Sequence, residues 1–360
     1  MSEMTMRERM LAVVQGKAHD RVPFVQYDGL AGPTQEIWAT IGRQNMGLLR
    51  WCGVFWHDTP NCRFSVEHAE NDGRKTFRRT LHTPAGNLFE DRVQEPTYGT
   101  YAARSHFVKE PADYKVLMAC FRDATVRMTL DGVDKVFKEL GDDGLPHTSL
   151  GRTPYQQLWV EWVCLEDLCL HMVDEPALME ELFALMFDLQ RRQMQIAIDA
   201  CRQRPIPYLN FGDNITAPVI GENYFRRFCV SQYRQLAGML DAAGLDLPVF
   251  VHMDGDLKPL WSAIGDSCVR GLDSFSPKPD NDTTVAEAIA MWPQMRVCLN
   301  FPSSVHLRNE DQIYAEARKI LDEGGHSGRL QIQISENVPP GMWKKSFPQI
   351  VKAIRDFGKL

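Results

Sequence analysis

Pro248-Val-Phe-Val-His-Met-Asp-Gly255 is a short β-rich run that ends in polar residues and a turn, and the chain after it patterns as an amphipathic helix over 257–267. The same phrase recurs on both sides. Upstream, Pro207-Tyr-Leu-Asn-Phe-Gly-Asp213 leads into a helix expected over 221–243. Downstream, Gly271-Leu-Asp-Ser-Phe275 leads to a helix over 284–291, Arg296-Val-Cys-Leu-Asn300 to one over 310–323, and Leu330-Gln-Ile-Gln-Ile-Ser335 to one over 343–357. Five consecutive strand–turn–helix units of this kind call for parallel strands with helical crossovers, because parallel neighbours cannot be joined by a tight hairpin.

The N-terminal half continues the theme less cleanly. A first helix is expected over 6–15, before a strand at Arg21-Val-Pro-Phe-Val-Gln-Tyr27. Gly53-Val-Phe-Trp56 reads as a second strand and 147–150 as a weaker third, with long helical stretches from 155 to 202. Eight such units suit a closed (β/α)8 TIM barrel with extra N-terminal helical structure better than an open sheet. The surplus length lies at about 60–147. Residues 64–95 alternate around the turn signals Asn71-Asp-Gly73 and Pro84-Ala-Gly86, which predicts an inserted antiparallel meander, and 110–140 look helical. The expectation is one barrel domain over 1–360 carrying that insertion, which would cover a homodimer contact or the barrel mouth.

Composition narrows the partners. The 360 residues are 44% hydrophobic and 24% charged, enough to build a large core, and the formal net charge of −7 comes without any long basic run. Nucleic acid and anionic membrane are therefore not expected as partners. No apolar stretch reaches membrane-spanning length, and the charged residues throughout 1–17 leave no apolar signal core, so a cytoplasmic location is expected. Nine cysteines without a Cys-x-x-Cys pair fit reduced thiols better than a disulfide scaffold.

Barrels of this kind do their chemistry at the C-terminal ends of the strands. The polar residues found there are Tyr27, Asp28, His57, Asp58, Asp213, Asn214, His252, Asp254, Asp273, Cys298, Asn300, Glu336 and Asn337. The set is rich in metal-ligand types, although Asp and Asn at strand ends more commonly cap the next helix. Strand alternation puts Phe250, His252 and Asp254 on one face, so that an imidazole and a carboxylate can share a cation. Glu336 ends the last strand, and in a closed barrel the fifth strand lies across the lumen from the first. Cys298 and Asn300 share a face of the seventh, where burial and ligation both stay open for the cysteine. Asp213, Asn214 and His57 are candidates for hydrogen bonding to substrate or for handling protons. Tyr27, Trp56, Phe211, Phe275 and Phe301 would suit an aryl group at the mouth, or simply pack the core.

These motifs resemble a known family. Arg7-Glu-Arg-Met-Leu-Ala-Val-Val-Gln-Gly16 with Asp20-Arg-Val-Pro-Phe24 looks like the opening of the uroporphyrinogen decarboxylase superfamily. The likeness extends through Gly212-Asp-Asn214, Asn223-Tyr-Phe-Arg-Arg-Phe228, His252-Met-Asp-Gly255 and Ser335-Glu-Asn-Val-Pro-Pro340, and so over nearly the whole chain. It implies a (β/α)8 barrel, in agreement with the strand count.

True decarboxylases of the superfamily carry Gln-Ala-Gly-Arg-Tyr after the first strand, to hold tetrapyrrole carboxylates. Here the stretch is Gln26-Tyr-Asp-Gly-Leu-Ala-Gly-Pro33, without arginine. The corrinoid-dependent methyltransferase branch is the better match. Several of its members bind zinc through His-x-Cys at the fifth strand and a cysteine at the end of the eighth; this sequence has His252, but Asp254 and Glu336 stand near the cysteine positions.

The resemblance thus implies Zn2+ on His252 and Glu336, completed by Asp254 or Cys298. His252, Asp213 and Glu336 would be the catalytic residues, with Tyr27, Trp56, His57, Asn214, Phe275 and Asn300 against the substrate. It implies O-demethylation of a small methylated substrate, best an aryl methyl ether, with cobalamin as the acceptor. No Asp-x-His-x-x-Gly motif is present, so the corrinoid is expected on a partner protein. A decarboxylase-like lyase and a catalytically silent barrel acting as a binding partner are the alternatives.

Overall fold

Thr5 and Glu8 close a reciprocal capping box on a helix over Met6–Gln15, which Gly16 ends at φ 68°. Its Met6, Met10 and Val14 do not face water. They enter a core cluster with Val25, Leu49, Leu145, Phe250 and Cys298, side chains from five barrel strands, and so plug the N-terminal end of the barrel. Gly47 makes the close approach possible: a Cβ there would stand 2.5 Å from Met6 Cγ and 2.7 Å from Met10 Sδ. Each such methionine or aliphatic side chain taken fully out of water stabilises the fold by roughly 1.5–3 kcal/mol.

The computed structural model describes residues 3–71 and 73–360. Its sheet contains eight parallel strands: β1 (Phe24–Tyr27), β2 (Gly47–Cys52), β3 (Gly144–Thr148), β4 (Leu209–Phe211), β5 (Val249–His252), β6 (Gly271–Phe275), β7 (Arg296–Asn300) and β8 (Leu330–Ile334). The order is β4-β5-β6-β7-β8-β1-β2-β3, and the ends meet through a parallel bridge between Ser149 and Asn210, with Leu150 N–H donating to the Asn210 carbonyl at 2.8 Å. This is the expected (β/α)8 barrel. Alternation sorts each strand: Phe24 faces outward onto Phe347 with ring centroids 5.1 Å apart, while Val25 and Tyr27 face the lumen. Gly271 is needed on β6 because a Cβ there would lie 2.2 Å from the Phe250 ring that fills the lumen. Helices return the chain between strands, two of them entered through capping boxes, Thr284 with Glu287 and Asn309 with Gln312.

Contacts divide the chain into two compact units. One, holding the barrel, comprises the residues up to Val54, Leu130–Gly151 and Ala200–Leu360; the other comprises Phe55–Thr129 and Arg152–Asp199. In the second unit the expected antiparallel meander is present and one strand longer than read, over Arg63–Asn71, Arg74–Thr83, Gly86–Gln94 and Tyr101–Ser105. The Asn71-Asp-Gly73 turn includes Asp72, which lies outside the described residues. Trp162 anchors the interior of this unit, with ring centroids 5.1 Å from Phe107 and 5.8 Å from Phe121.

Three sequence expectations need correction. The second barrel strand is Gly47–Cys52, and the run read in its place contributes to Phe55–Asp58, which pairs antiparallel with Thr125–Met128 in the second unit. The aromatic run Phe55-Trp56 was the louder β signal, but Leu48 and Leu49 alternate correctly between helix and lumen. The third strand starts earlier than read, at Gly144. The helical stretch over 155–202 is broken by a π-helical turn at Leu158–Trp162 and by separate helices Leu165–Asp174 and Pro176–Gln203. Among the described residues no helix is long and apolar enough to cross a membrane.

Candidate metal centre

His252 ends β5, two residues beyond Phe250, so the alternation that buries the phenyl ring in the lumen also turns the imidazole inward. Its Nε2 lies 3.2 Å from Glu336 Oε1 and 3.7 Å from Asp254 Oδ2. Among the described residues these three bring one ligand atom each to within 4.8 Å of one another. One imidazole nitrogen and two carboxylate oxygens make a donor set that suits Zn2+ and leaves a coordination position open.

The other face of the ring is held from behind. His252 Nδ1 donates to Asp273 Oδ2 at 3.2 Å, and the same oxygen accepts the Tyr27 hydroxyl at 2.6 Å. Gln333 Nε2 donates to Asp273 Oδ1 at 2.8 Å. His147 Nε2 stands 3.3 Å from Oδ2 but off the line of a good hydrogen bond, while its Nδ1 meets Tyr208 Oη at 2.6 Å. A carboxylate on one imidazole nitrogen fixes the tautomer and presents the other nitrogen outward, which is the usual support for a metal-ligating histidine.

The titrations follow from this crowding. Burial resists charging His252, but the carboxylates of Asp254, Asp273 and Glu336 around the ring outweigh it and hold the imidazole well above its ordinary range. Burial likewise resists ionising Asp273, and the two histidines overcome that and hold it well below the usual carboxylate range. For Asp254, burial raises and His252 lowers, with a net lowering. Asp254 and Asp273 are thus held in the charged form beside the imidazole.

Each acidic arm is tied down. Asn214, in the left-handed region at φ 54°, donates through Nδ2 to Asp254 Oδ2 at 2.9 Å. Ser274 sits at φ 59° where the β6–β7 register shifts, and its hydroxyl donates to Glu336 Oε1 at 2.8 Å beside Ser335 Oγ at 2.7 Å. A serine in the left-handed region is strained, and such strain clusters at working sites. Asn300 Oδ1 accepts the backbone N–H groups of Ser335 at 3.0 Å and Glu336 at 3.2 Å, which fixes where Glu336 leaves the strand.

The other expected residues fall elsewhere. Cys298 is not a member of the ligand group: it is buried in the core cluster below, where burial, with Asp273 adding to it, pushes its thiol well up. Asp213, two residues beyond the end of β4, is buried and accepts the Tyr233 hydroxyl. Phe275 is fully buried. Trp56 and His57 lie on Phe55–Asp58 of the second unit, where His57 Nε2 accepts from Gln193 Nε2 at 2.7 Å and burial, with Arg192, lowers its pKa. The role of Asp273 was missed, as were those of His147 and Ser274. The available signal was an aspartate inside a run otherwise fit for a buried strand, in register with His252.

The profile of the uroporphyrinogen decarboxylase (URO-D) family matches residues 162–357. The sequence matches none of the curated proteins. Among solved structures, a methyltransferase from Methanosarcina mazei aligns over 99% of this chain and 99% of its own, with a TM-score of 0.56 and 13% identity. A B12-independent methionine synthase from Shewanella sp. W3-18-1 aligns over 74% of this chain and 73% of its own, with a TM-score of 0.43 and 9% identity. D-psicose 3-epimerase from Clostridium cellulolyticum H10 aligns over 64% and 76%, with a TM-score of 0.35 and 12% identity.

Proposed function

The chain belongs to the uroporphyrinogen decarboxylase (URO-D) family, and from that premise we propose that it is a methyltransferase of the corrinoid-dependent branch. It moves a methyl group from a small O-methylated donor, best an aryl methyl ether, to the Co(I) corrinoid of a partner protein. The observation that carries this reading is His252 Nε2 facing Asp254 and Glu336 while Asp273 holds Nδ1. A zinc ion bound by His252, Asp254 and Glu336 would supply a Lewis acid for the donor oxygen, which improves it as a leaving group. Carboxylates in place of thiolates leave such an ion harder, and so better matched to an ether oxygen than to sulfur.

The chain's own part is orientation. Asp273 fixes the imidazole, Ser274 and Asn300 fix Glu336, and Asn214 fixes Asp254. Against a decarboxylase, the segment after β1 offers Asp28 rather than an arginine, and Arg50 on β2 is engaged with Asp28 at 2.7 Å and with Glu139. The fold similarity to a methyltransferase points the same way without deciding it.

Purification without chelator should yield about one zinc per chain, lost in His252→Ala and Glu336→Ala. The zinc-loaded protein should then demethylate 2-methoxyphenol in the presence of a reduced corrinoid protein. Wild-type protein that holds no metal would overturn the reading; decarboxylation of a porphyrinogen without methyl transfer would turn it to the lyase.

A further inference from the structure

The aromatic residues expected to receive an aryl group are mostly out of reach. Phe211, Phe275 and Phe301 are fully buried, Phe211 against Tyr233 and Phe301 against His306, while Tyr27 is engaged with Asp273. A different aromatic fits the task. Trp51 stands one residue before the C-terminal end of β2 and is 42% exposed, although its ring turns toward the lumen.

Two contacts show where it points. The indole meets the His147 ring at 4.0 Å and 82°, and the Tyr27 ring at 5.3 Å and 73°. Both are edge-to-face geometries, which brace the ring while 42% of the residue stays exposed. Tyr27 Oη and His147 Nε2 approach Asp273 Oδ2 at 2.6 and 3.3 Å, and Asp273 holds His252. Trp51 is thus one side chain removed from the carboxylate that supports the candidate metal ligand. An indole left this far exposed at a strand end forgoes much of the stabilisation its burial would bring, which makes it a pre-ordered surface for a flat partner.

We propose that Trp51 is the specificity-determining residue of the site, stacking on the aromatic ring of the methyl donor and so setting its methoxy group toward His252. This rests on the methyl-transfer reading above, but its test separates the two. Binding of 2-methoxyphenol to the full-length protein is measured calorimetrically for wild type, Trp51→Phe and Trp51→Leu, with zinc content determined on each sample.

Trp51→Leu should weaken binding about tenfold and Trp51→Phe less, with zinc unchanged in both. In turnover Trp51→Leu should raise KM and also lower kcat, because a bound donor is no longer aimed at His252. Unaltered affinity in Trp51→Leu would overturn the inference, as would a wild type that ignores 2-methoxyphenol and binds tetramethylammonium through Trp51, because an indole face also attracts cations. A protein that lacks zinc yet shows the Trp51-dependent affinity would sink the metal reading and leave the aryl platform standing.

Discussion

His252 and His306 are both buried in the barrel unit, 6% and 0% exposed, and they titrate in opposite directions. Three carboxylates surround His252 and lift its pKa. His306 Nδ1 meets Ser346 Oγ at 2.7 Å, that hydroxyl can donate onward to the Met342 carbonyl at 3.1 Å, and Nε2 has no hydrogen-bond partner. Its ring lies between Phe301 and Phe347. A proton added to Nε2 would create a buried cation with nothing to accept its N–H, so burial lowers the pKa to about 4, with Lys345 assisting and Asp280 opposing. The residue type is the same; the neighbours decide whether it faces a cluster of carboxylates or is part of the core.

The sharpest way to break this contrast is to replace both histidines. His252→Gln should weaken zinc binding by ~100-fold or more, since a ligand is removed from a three-residue set. His306→Gln should leave zinc affinity unchanged, and a loss of metal there would erase the distinction.

The next effect is on stability. Because the folded pKa of His306 lies below the ordinary 6.5, its contribution is complete above pH 6.5 and is lost as pH falls toward about 4. In that window the unfolded chain takes up a proton that the folded chain refuses. Urea unfolding at pH 7 and pH 5 should show wild type losing roughly 2 kcal/mol more than His306→Gln over the interval. Equal losses would mean that His306 is already charged in the folded state.

A second pair carries the comparison into the carboxylates. Asp273 and Asp213 are both buried, but Asp273 faces the lumen and two histidines, whereas Asp213 faces the helix that carries Tyr233. Asp273→Asn should reduce zinc affinity ~10–100-fold, the usual range for a carboxylate behind a metal-ligating histidine. Asp213→Asn should lower the midpoint of thermal unfolding and leave zinc affinity alone. A zinc affinity that follows Asp213 instead would reverse the assignment of faces.

This pair also shows what the sequence could and could not disclose. The five C-terminal strand–helix units were legible because each strand ends in a turn and each helix has its own period, and His252, Asp254 and Glu336 followed from strand ends and alternation. Asp213 misled because a strand end in Phe211-Gly-Asp213 has the same composition whichever way its last side chain turns. Ser149 and Asn210, which join the first and last strands of the sheet, carry no pattern at all. Gly47–Cys52 was hidden by the more aromatic Phe55-Trp56 beside it. The support around Glu336 was beyond reach for a further reason: it depends on a register shift between β6 and β7, which is a property of two strands paired and of neither alone.

That support yields the smallest effect and the finest test. Ser274 is held at φ 59°, a conformation unfavourable for serine but easy for glycine, and its hydroxyl binds Glu336. Ser274→Gly removes the hydrogen bond and the backbone strain together, so the two contributions to stability oppose each other and the change should stay within about 1 kcal/mol. Ser274→Ala removes the hydrogen bond and keeps the strain, and should be the less stable of the two. Glu336 loses the same partner in both variants, so both should lose a similar few-fold of zinc affinity. If affinity follows stability across the pair, Ser274 matters only to the local conformation of β6. If the two variants differ in stability and agree in affinity, its hydroxyl is what aims Glu336 at His252.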